Sequence, residues 1–328
     1  MAETSSTAEP EQLQGLIEGL PNICGWEEDI ATIVARREPV FLPQTSYRLE
    51  DIRSCFAIAL HMHQPMIPAG QGGSLVNNLQ YMLEHPYEGD NYNAGHFAYC
   101  YGRIGDFLPE LVSQGCDPRV MLDYTGTLLW GLQQMGRTDI LDKLKLVTCD
   151  ERYQPHVEWL GTFWGHSVAD TLPLPDIKLQ IQAWQHHFAA IFGKVALGRV
   201  RGFSLPERRL PQQPAHLYEL VSTLTACGYQ WMMVPRSAVE TLNGESVERS
   251  HIPYRLITEG TSGETAEIIV FLTDDAAEAK LVAKMHPYYQ AKALSREAKR
   301  REQIAPIVTQ IADGENEGLM LNEFPSAF

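Results

Sequence analysis

The stretch AIALHMHQP, residues 57–65, decides the fold class, because it is an apolar strand that ends in polar side chains. Side chains of a strand alternate between two faces, so Ala57, Ala59, His61 and His63 share one side and the larger apolar residues share the other. If the larger side packs against helices, the two histidines face the interior of the sheet or barrel at its end. There they could hydrogen-bond ligand hydroxyl groups or bind a metal ion, or they could be core histidines with structural partners.

Outward from this stretch, short apolar runs alternate with longer helical patterns. The predicted strands are residues 55–60, 119–122, 156–160, 200–205, 229–234, 268–272 and 307–311. The predicted helices are residues 93–114, 176–192, 215–227 and 276–301, the last broken at Pro287. In the helix 176–192 apolar residues recur every three or four positions, which predicts one buried face.

Repeated alternation of strand and helix predicts right-handed βαβ units and therefore a parallel sheet. We expect the sheet to close, because polar motifs follow strands far apart in the sequence, and the mouth of a barrel gathers such motifs into one site. The predicted fold is α/β, an incomplete, TIM-barrel-like (β/α) barrel of about seven parallel strands over residues 51–328. Residues 1–50 are predicted to be an N-terminal extension, partly disordered up to about residue 12, with short helices over 13–20 and 27–37.

The composition argues against several kinds of partner. A net charge of -15 and a pI near 5.2 disfavour binding to phosphate backbones, so we expect no nucleic-acid partner. No apolar run approaches the roughly 20 residues that cross a bilayer, and the N-terminus lacks the basic and apolar regions of a signal peptide. We therefore expect a cytoplasmic protein with no membrane partner, whose six cysteines are buried free thiols.

Glu207 follows the predicted strand 200–205 at a turn marked by Pro206, so the turn can present its carboxylate to a cavity. The adjacent Arg208 and Arg209 favour the ionised form that a nucleophile needs. On its own the segment is typical of a solvated surface turn. It gains meaning from a second acidic group late in the chain.

Asp313 and Glu315 form this second group, directly after the last predicted strand. Two crowded carboxylates differ in pKa, because the charge on one disfavours ionisation of the other, and this predicts one general acid near neutrality. A calcium-binding loop is the alternative, although the run lacks the regular acidic spacing of an EF-hand. Paired carboxylates at strand ends indicate glycosidic chemistry.

The segment 157–166 joins a predicted strand to aromatic residues and ends in His166. Aromatic rings there suit stacking against a sugar, but Trp159, Phe163 and Trp164 could equally belong to the core. We expect at least two of the three to be buried core residues.

Four segments, in this order, resemble the motifs of glycoside hydrolase family 57: residues 61–65, 158–166, 202–207 and 313–315. The resemblance covers roughly residues 54–328. It implies an incomplete (β/α) barrel, a retaining mechanism, and oligosaccharide or polysaccharide substrates of the α-glucan or related α-glycoside class. The implied activity is glycoside hydrolysis or 4-α-glucanotransferase-like transfer, with no metal and no organic cofactor.

The resemblance also implies roles for individual residues. Glu207 matches the nucleophile of the family, and Asp313 matches the general acid/base. His61, His63 and His166 would line the subsite that holds the reacting sugar. The remaining predicted substrate-binding residues are Gln64, Trp164 and Glu315, the last as a supporting carboxylate.

The chain departs from the family pattern in three places. Ser204 stands where many members have Trp, which removes an aromatic surface near Glu207. Thr273 and Asp274 stand where an Arg-Asp pair is common, so one expected positive charge is missing. The C-terminal helical region of the family is expected to be absent, because the sequence ends about a dozen residues after Glu315.

Two other functions fit parts of the sequence. The departures favour a carbohydrate-binding barrel without turnover. The pattern His61-x-His63 after the first strand also suits a metal site, as in a metal-dependent hydrolase of the deacetylase or amidohydrolase kind.

Overall fold

Seven parallel strands form a closed barrel and follow one another round the ring in sequence order. The computed structural model describes residues 13–36, 38, 40–41, 45–273, 286–299 and 302–315. The barrel strands are β1 (Cys55–Met62), β2 (Val120–Tyr124), β3 (Val157–Gly161), β4 (Gly202–Ser204), β5 (Trp231–Pro235), β6 (Thr265–Thr273) and β7 (Ile307–Asp313). The predicted TIM-barrel-like fold is confirmed, and each predicted strand overlaps one strand of the barrel.

Helices separate most of the strands along the chain. They are α1 (Glu27–Val34), α2 (Asn78–Glu84), α3 (Ala94–Gly102), α4 (Ile104–Ser113), α5 (Gly126–Gln134), α6 (Thr138–Cys149), α7 (Leu174–Phe192), α8 (Lys194–Leu197), α9 (Pro214–Ala226) and α10 (His286–Ala293). The predicted helix 93–114 is therefore two helices, α3 and α4, and β5 and β6 are joined by a segment that contains an extra strand.

The interior of the barrel is filled by inward-facing residues of five strands: Ala59, Met121, Leu160, Met233 and Ile311. The opposite faces of the strands pack against the helices in a larger core. The indole of Trp231 also lies against this interior cluster, and Gly202 makes room for it, since a Cβ on Gly202 would lie 2.3 Å from Trp231 Cζ2. The inward rows of side chains lead to the carboxyl ends of the strands.

The face of α7 that the periodicity predicts to be buried is buried. Its members are Ile177, Ile181, Trp184, Phe188 and Ile191, none more than 5% exposed. The Trp184 indole N–H donates to the backbone carbonyl of Tyr124, 2.9 Å away, which ties α7 to the end of β2.

The barrel closes unevenly. Strand β7 pairs with β1 in a continuous parallel register from Ile307↔Cys55 to Asp313↔His61. Between β6 and β7, by contrast, the described residues form one register pair, Thr273↔Thr309, supported by a 3.0 Å hydrogen bond from Thr309 Oγ1 to a carbonyl of β6. We call this contact the seam.

Two predicted helices differ from the structure. Residues 13–20 are not helical: Leu16–Ile17 pairs antiparallel with Leu20–Pro21 across a turn in which Glu18 and Gly19 have positive φ. Of the predicted helix 276–301, α10 is helical and Glu297–Lys299 is a strand, while residues 274–285 lie outside the described residues, as does the predicted disorder of residues 1–12.

The eighth strand of the barrel sheet was not predicted. Tyr254–Glu259 pairs antiparallel with β6, from Tyr254↔Val270 to Glu259↔Thr265. It makes β6 the one barrel strand with three strand partners among the described residues.

The six cysteines are free. Cys100 and Cys227 are buried as predicted, but Cys24, Cys116 and Cys149 are exposed, so the prediction of burial is wrong for these three. In the part of the chain that the structure describes, no helix is both long and apolar enough to span a membrane.

Candidate active site

Three polar residues stand side by side at the carboxyl ends of β7, β1 and β2. Asp313 pairs in register with His61, and His61 with Asp123. The residue two positions earlier in each strand belongs to the cluster that fills the barrel interior. By alternation the side chains of Asp313, His61 and Asp123 turn to the same inner side, at the mouth of the barrel.

A chain of hydrogen bonds runs from Asp123 through His61 to His166. Asp123 Oδ2 lies 2.9 Å from His61 Nδ1, and His61 Nε2 lies 3.0 Å from His166 Nε2. Asp123 is 1% exposed, and its Oδ1 has no hydrogen-bond partner within the described structure. Both ring nitrogens of His61 are therefore engaged by protein groups.

The charge state of His61 follows from these contacts. Burial lowers its pKa, but the charge and hydrogen bond of Asp123, followed by the charges of Glu315 and Asp313, outweigh burial and raise the pKa to about 9. At neutral pH His61 is therefore an imidazolium, and it donates from both nitrogens.

The neighbouring imidazoles are neutral. Burial, then the charges of His166 and His61, lower the pKa of His63 to about 3. Burial and the charge of His61 also lower the pKa of His166. The rings of His63 and His166 stack with centroids 3.9 Å apart, and His63 Nδ1 lies 2.9 Å from Thr125 Oγ1. One positive charge is thus confined to His61 within a three-histidine cluster.

The backbone at Glu207 is unusual. The turn after β4 places Glu207 at φ 54° and Arg208 at φ 52°, and His166, after β3, has φ 57°. Within the described structure only one other non-glycine residue, Glu18, has positive φ. Such torsions cost about 1–2 kcal/mol for an L-residue and concentrate at functional sites.

Glu207 and Asp313 line one cavity of about 140 Å³ at the mouth of the barrel. Its lining residues are His61, His166, Leu205, Glu207, Arg208, Ile311, Ala312 and Asp313. Both carboxylate residues are exposed. The structure therefore brings together four of the predicted site residues: Glu207, Asp313, His61 and His166.

Glu315 lies behind this cavity and is half-buried. Its Oε1 accepts hydrogen bonds from the Tyr101 hydroxyl at 2.9 Å and from the His63 backbone N–H at 3.3 Å. Burial raises the pKa of Glu315 against the lowering effect of these bonds. The raised pKa that the acidic pair predicts therefore belongs to Glu315, and burial causes it instead of repulsion between carboxylates.

Gln64 is buried, and both ends of its side-chain amide bond to protein groups. Its side-chain amide donates to the Tyr101 hydroxyl and accepts from Asn78 Nδ2, each at 2.9 Å. Gln64 therefore supports the Tyr101 and Glu315 pair from the protein side, and it does not line the cavity.

Trp164 lies away from the cavity, against α5. A Cβ on Gly126 would meet the indole at 2.0 Å, and Trp164 Nε1–H donates to His187 Nδ1 at 3.1 Å. Trp159 and Phe163 are core residues, as predicted for two of the three aromatic residues. The predicted stacking surface is therefore not part of the lining.

The departures from the family pattern have local explanations. Ser204 is 2% exposed and lies in β4 in register with Met233, a residue of the barrel interior. Thr273 is 1% exposed at the seam, where its hydroxyl donates to the Val234 carbonyl at 3.4 Å. Asp274 lies outside the described residues.

Asp123 and Tyr101 are site residues that the sequence analysis missed. Asp123 directly follows the predicted strand 119–122 and so meets the same criterion that singles out His61: a polar side chain at the carboxyl end of an apolar strand. Tyr101 lies within a helix and carries no comparable signal.

The alternative of a metal bound by His61 and His63 can be compared with their contacts. Within the described residues no group of three or more His, Cys, Asp or Glu side chains has a geometry suited to hold a metal ion. The contacts of His61 and His63 form a hydrogen-bonded cluster with Asp123, His166 and Thr125.

A larger cavity, of about 860 Å³, lies at the amino-terminal ends of the strands. Glu158, Trp231, Phe41, Phe56, Arg119 and Arg199 are among its lining residues. Solvent reaches the Glu158 side chain through the cavity, yet surrounding protein atoms raise its pKa to about 7. In (β/α) barrels the chemistry belongs to the carboxyl ends of the strands, so the smaller cavity is the candidate active site.

No protein-family model and no curated protein matches the chain. Solved structures do match. A 4-α-glucanotransferase from Thermococcus litoralis has a TM-score of 0.53 and 21% identity, over 83% of this chain and 36% of that one. This chain therefore spans about a third of the length of that enzyme.

Two further solved structures have lower TM-scores. A GH57 branching enzyme from Thermococcus kodakaraensis has a TM-score of 0.49 and 13% identity, over 81% of this chain and 66% of that one. A putative polysaccharide deacetylase from Mycobacterium smegmatis has a TM-score of 0.45 and 10% identity, over 86% of this chain and 85% of that one. At such identities the likeness concerns the fold.

Proposed function

We propose that this chain is a member of glycoside hydrolase family 57 and a retaining enzyme of α-glucans or related α-glycosides. The observation that carries the proposal is that Glu207 and Asp313, far apart in the sequence, line one cavity at the carboxyl end of the barrel. The likeness of fold to a 4-α-glucanotransferase supports the same class of reaction.

In the proposed reaction Glu207 attacks the anomeric carbon, and the glycosidic bond to the leaving oxygen breaks. Asp313 gives its proton to that oxygen, and a covalent glycosyl-enzyme forms on Glu207. In the second half Asp313 takes a proton from water or from a sugar hydroxyl, which attacks the same carbon and releases Glu207. Water yields hydrolysis, and a sugar hydroxyl yields transfer.

The remaining groups have supporting parts in this proposal. Arg208 lines the cavity together with Glu207 and brings a positive charge to the side of the proposed nucleophile. His166 offers a ring nitrogen at the cavity, and Glu315 holds the backbone of His63 in place. Exposure of Glu207 and Asp313 leaves both open to a polymeric substrate.

The test is turnover of maltooligosaccharides and starch by the wild type and by Glu207→Gln and Asp313→Asn. We expect Glu207→Gln to lower kcat/KM by roughly 1,000-fold or more. Asp313→Asn should lose natural substrates but keep part of its activity on an aryl glycoside, whose leaving group departs without a proton. Glu151→Gln, an exposed carboxylate remote from these residues in sequence, is the matched control.

Equal turnover by Glu207→Gln and the wild type would remove Glu207 from its role. Binding of maltooligosaccharides in calorimetry with no product from the wild type, even with added divalent metal, would favour a carbohydrate-binding barrel. Turnover of a substrate labelled at its reducing end, with inversion at the anomeric carbon of the cleaved bond, would contradict the retaining mechanism.

A further inference from the structure

Asp123 carries an energetic cost that packing alone does not explain. Its carboxylate is buried at the mouth of the barrel, one oxygen bonds to His61 Nδ1, and the other oxygen has no hydrogen-bond partner among the described residues. A buried carboxylate with an unsatisfied oxygen destabilises a fold unless a nearby charge offsets it. The charge that faces it is the imidazolium of His61.

The hydrogen-bond directions beyond His61 are fixed by this pairing. A protonated His61 donates from Nδ1 to Asp123 and from Nε2 to His166, because neither of its nitrogens has a free lone pair. His166 Nε2 must then accept, so the neutral His166 ring carries its proton on Nδ1. Within the described structure Nδ1 of His166 has no hydrogen-bond partner, and His166 lines the candidate cavity.

We propose that Asp123 is a positioning residue, which acts through His61 to make His166 Nδ1–H a hydrogen-bond donor for a hydroxyl group of the bound sugar. This rests on the proposed function for its substrate. It reassigns one predicted contact: His61 serves as the link to Asp123, while His166 keeps its predicted contact with the sugar.

The same positions of the ring nitrogens also allow the hydrogen bond between His61 and His166 to run in the opposite direction. A neutral His61 would donate from Nδ1 to Asp123 and accept at Nε2, so His166 would donate from Nε2 and present Nδ1 as an acceptor. The charged and titratable groups that face His61 are Asp123, Asp313, Glu315, His63 and His166, and its cavity is shared with Glu207 and Arg208. The acidic groups keep His61 protonated, and Asp123 does so by direct contact.

Asp123→Asn separates these two states with almost no change of shape. An uncharged carboxamide can still accept from His61 Nδ1–H, but it no longer offsets the imidazolium charge, and burial then favours neutral His61. The hydrogen bond between His61 and His166 would persist with its direction reversed. A purely structural role for Asp123 predicts no such reversal.

The experiment is two-bond ¹H–¹⁵N NMR of the histidine rings of the full chain without substrate, with His61 and His166 assigned from the spectra of His61→Gln and His166→Gln. In the wild type at pH 7 we expect a doubly protonated His61 and a His166 protonated on Nδ1. In Asp123→Asn we expect neutral His61 and His166 protonated on Nε2. Asp142→Asn, an exposed residue of α6, should keep the wild-type pattern.

Wild-type His166 protonated on Nε2 at pH 7 would overturn the proposal, and this measurement does not require the variant to fold. Unchanged His61 and His166 in a folded Asp123→Asn would overturn it as well. In kinetics we expect Asp123→Asn to have a roughly tenfold lower kcat/KM than the wild type at pH 7. We also expect its kcat/KM to begin to fall at a lower pH on the alkaline side of the pH profile. Absence of glycosidase activity in the wild type would contradict the proposed function while leaving the NMR result intact.

Discussion

Glu207, Arg208 and His166 hold backbone torsions that glycine adopts far more readily than other residues. All three line the cavity that contains the two predicted catalytic carboxylates. A fold selected only for stability would place glycine or asparagine at such positions. The chain therefore maintains strain at the site, which is the pattern expected when a side chain is needed there.

This strain gives a prediction about Glu207 that is independent of activity. We expect Glu207→Gly to be more stable to urea than Glu207→Ala by about 1 kcal/mol, because only glycine relieves a positive φ. At Glu110, an exposed residue within α4, the order should reverse, since glycine costs about 1 kcal/mol relative to alanine inside a helix. If the alanine variant is the more stable one at both positions, Glu207 is not strained.

Glu158, in the cavity at the opposite end of the barrel, should make stability depend on pH. Its folded pKa of about 7 lies above the unfolded value near 4.5, so the stability it contributes is complete below pH 4.5 and is lost as the pH rises through 7. We expect the melting temperature of Glu158→Gln, relative to that of the wild type, to rise between pH 5 and pH 8. A gap between the two melting temperatures that stays constant with pH would contradict the raised pKa.

The site could be predicted from the sequence only in part. Glu207, Asp313, His61 and His166 were found because each follows an apolar strand or matches an ordered motif. Asp123 satisfies the same rule, but as a single aspartate after one strand it matches no ordered motif. The two uses of His61 nitrogens depend on neighbours more than 60 residues away, and no local pattern encodes them.

Among the elements, the barrel strands were predictable because most of their apolar residues pack against the helices or in the barrel interior. The helix expected over residues 13–20 was wrong because Gly15, Gly19 and Pro21 signal a turn more strongly than the leucines signal a helix. The strand Tyr254–Glu259 was not predicted because its sequence, YRLITE, has neither a long apolar run nor a strict alternation of polar and apolar residues.

At the level of elements, the close approach of β4 and β5 leads to a prediction. Gly202→Ala should destabilise the fold by about 2 kcal/mol, because the new Cβ would overlap the Trp231 ring. Gly95→Ala, in α3 with open space around its Cα, should be neutral or stabilising by about 0.5 kcal/mol. Urea unfolding of both variants measures the difference, and equal effects would mean that the ring moves aside freely.

The whole molecule is a ring of strands with one weak contact, at the seam. Amide protons of a parallel strand point alternately to its two neighbours. In β7 the Ile307 N–H, on the β6 side, donates to the His251 carbonyl at 2.7 Å, and Thr309 pairs with Thr273; beyond Thr309 we expect the amides that face β6 to exchange faster than those that face β1. Residue-level hydrogen exchange by NMR tests this. Residues 59–61 of β1, which are in register with both β7 and β2, should show no such alternation, and uniform protection along β7 would count against a weak seam.

We also expect the seam to determine where the barrel deforms first. When a barrel has one weak contact between strands, deformation is expected to separate β6 from β7 at the seam while the other strands keep their arrangement. Asp313 lies beside the seam, but its strand is locked to that of His61 along its full length, and His61 is locked in turn to the strand of Asp123. Thermal motion should therefore widen the seam before it misaligns these three side chains.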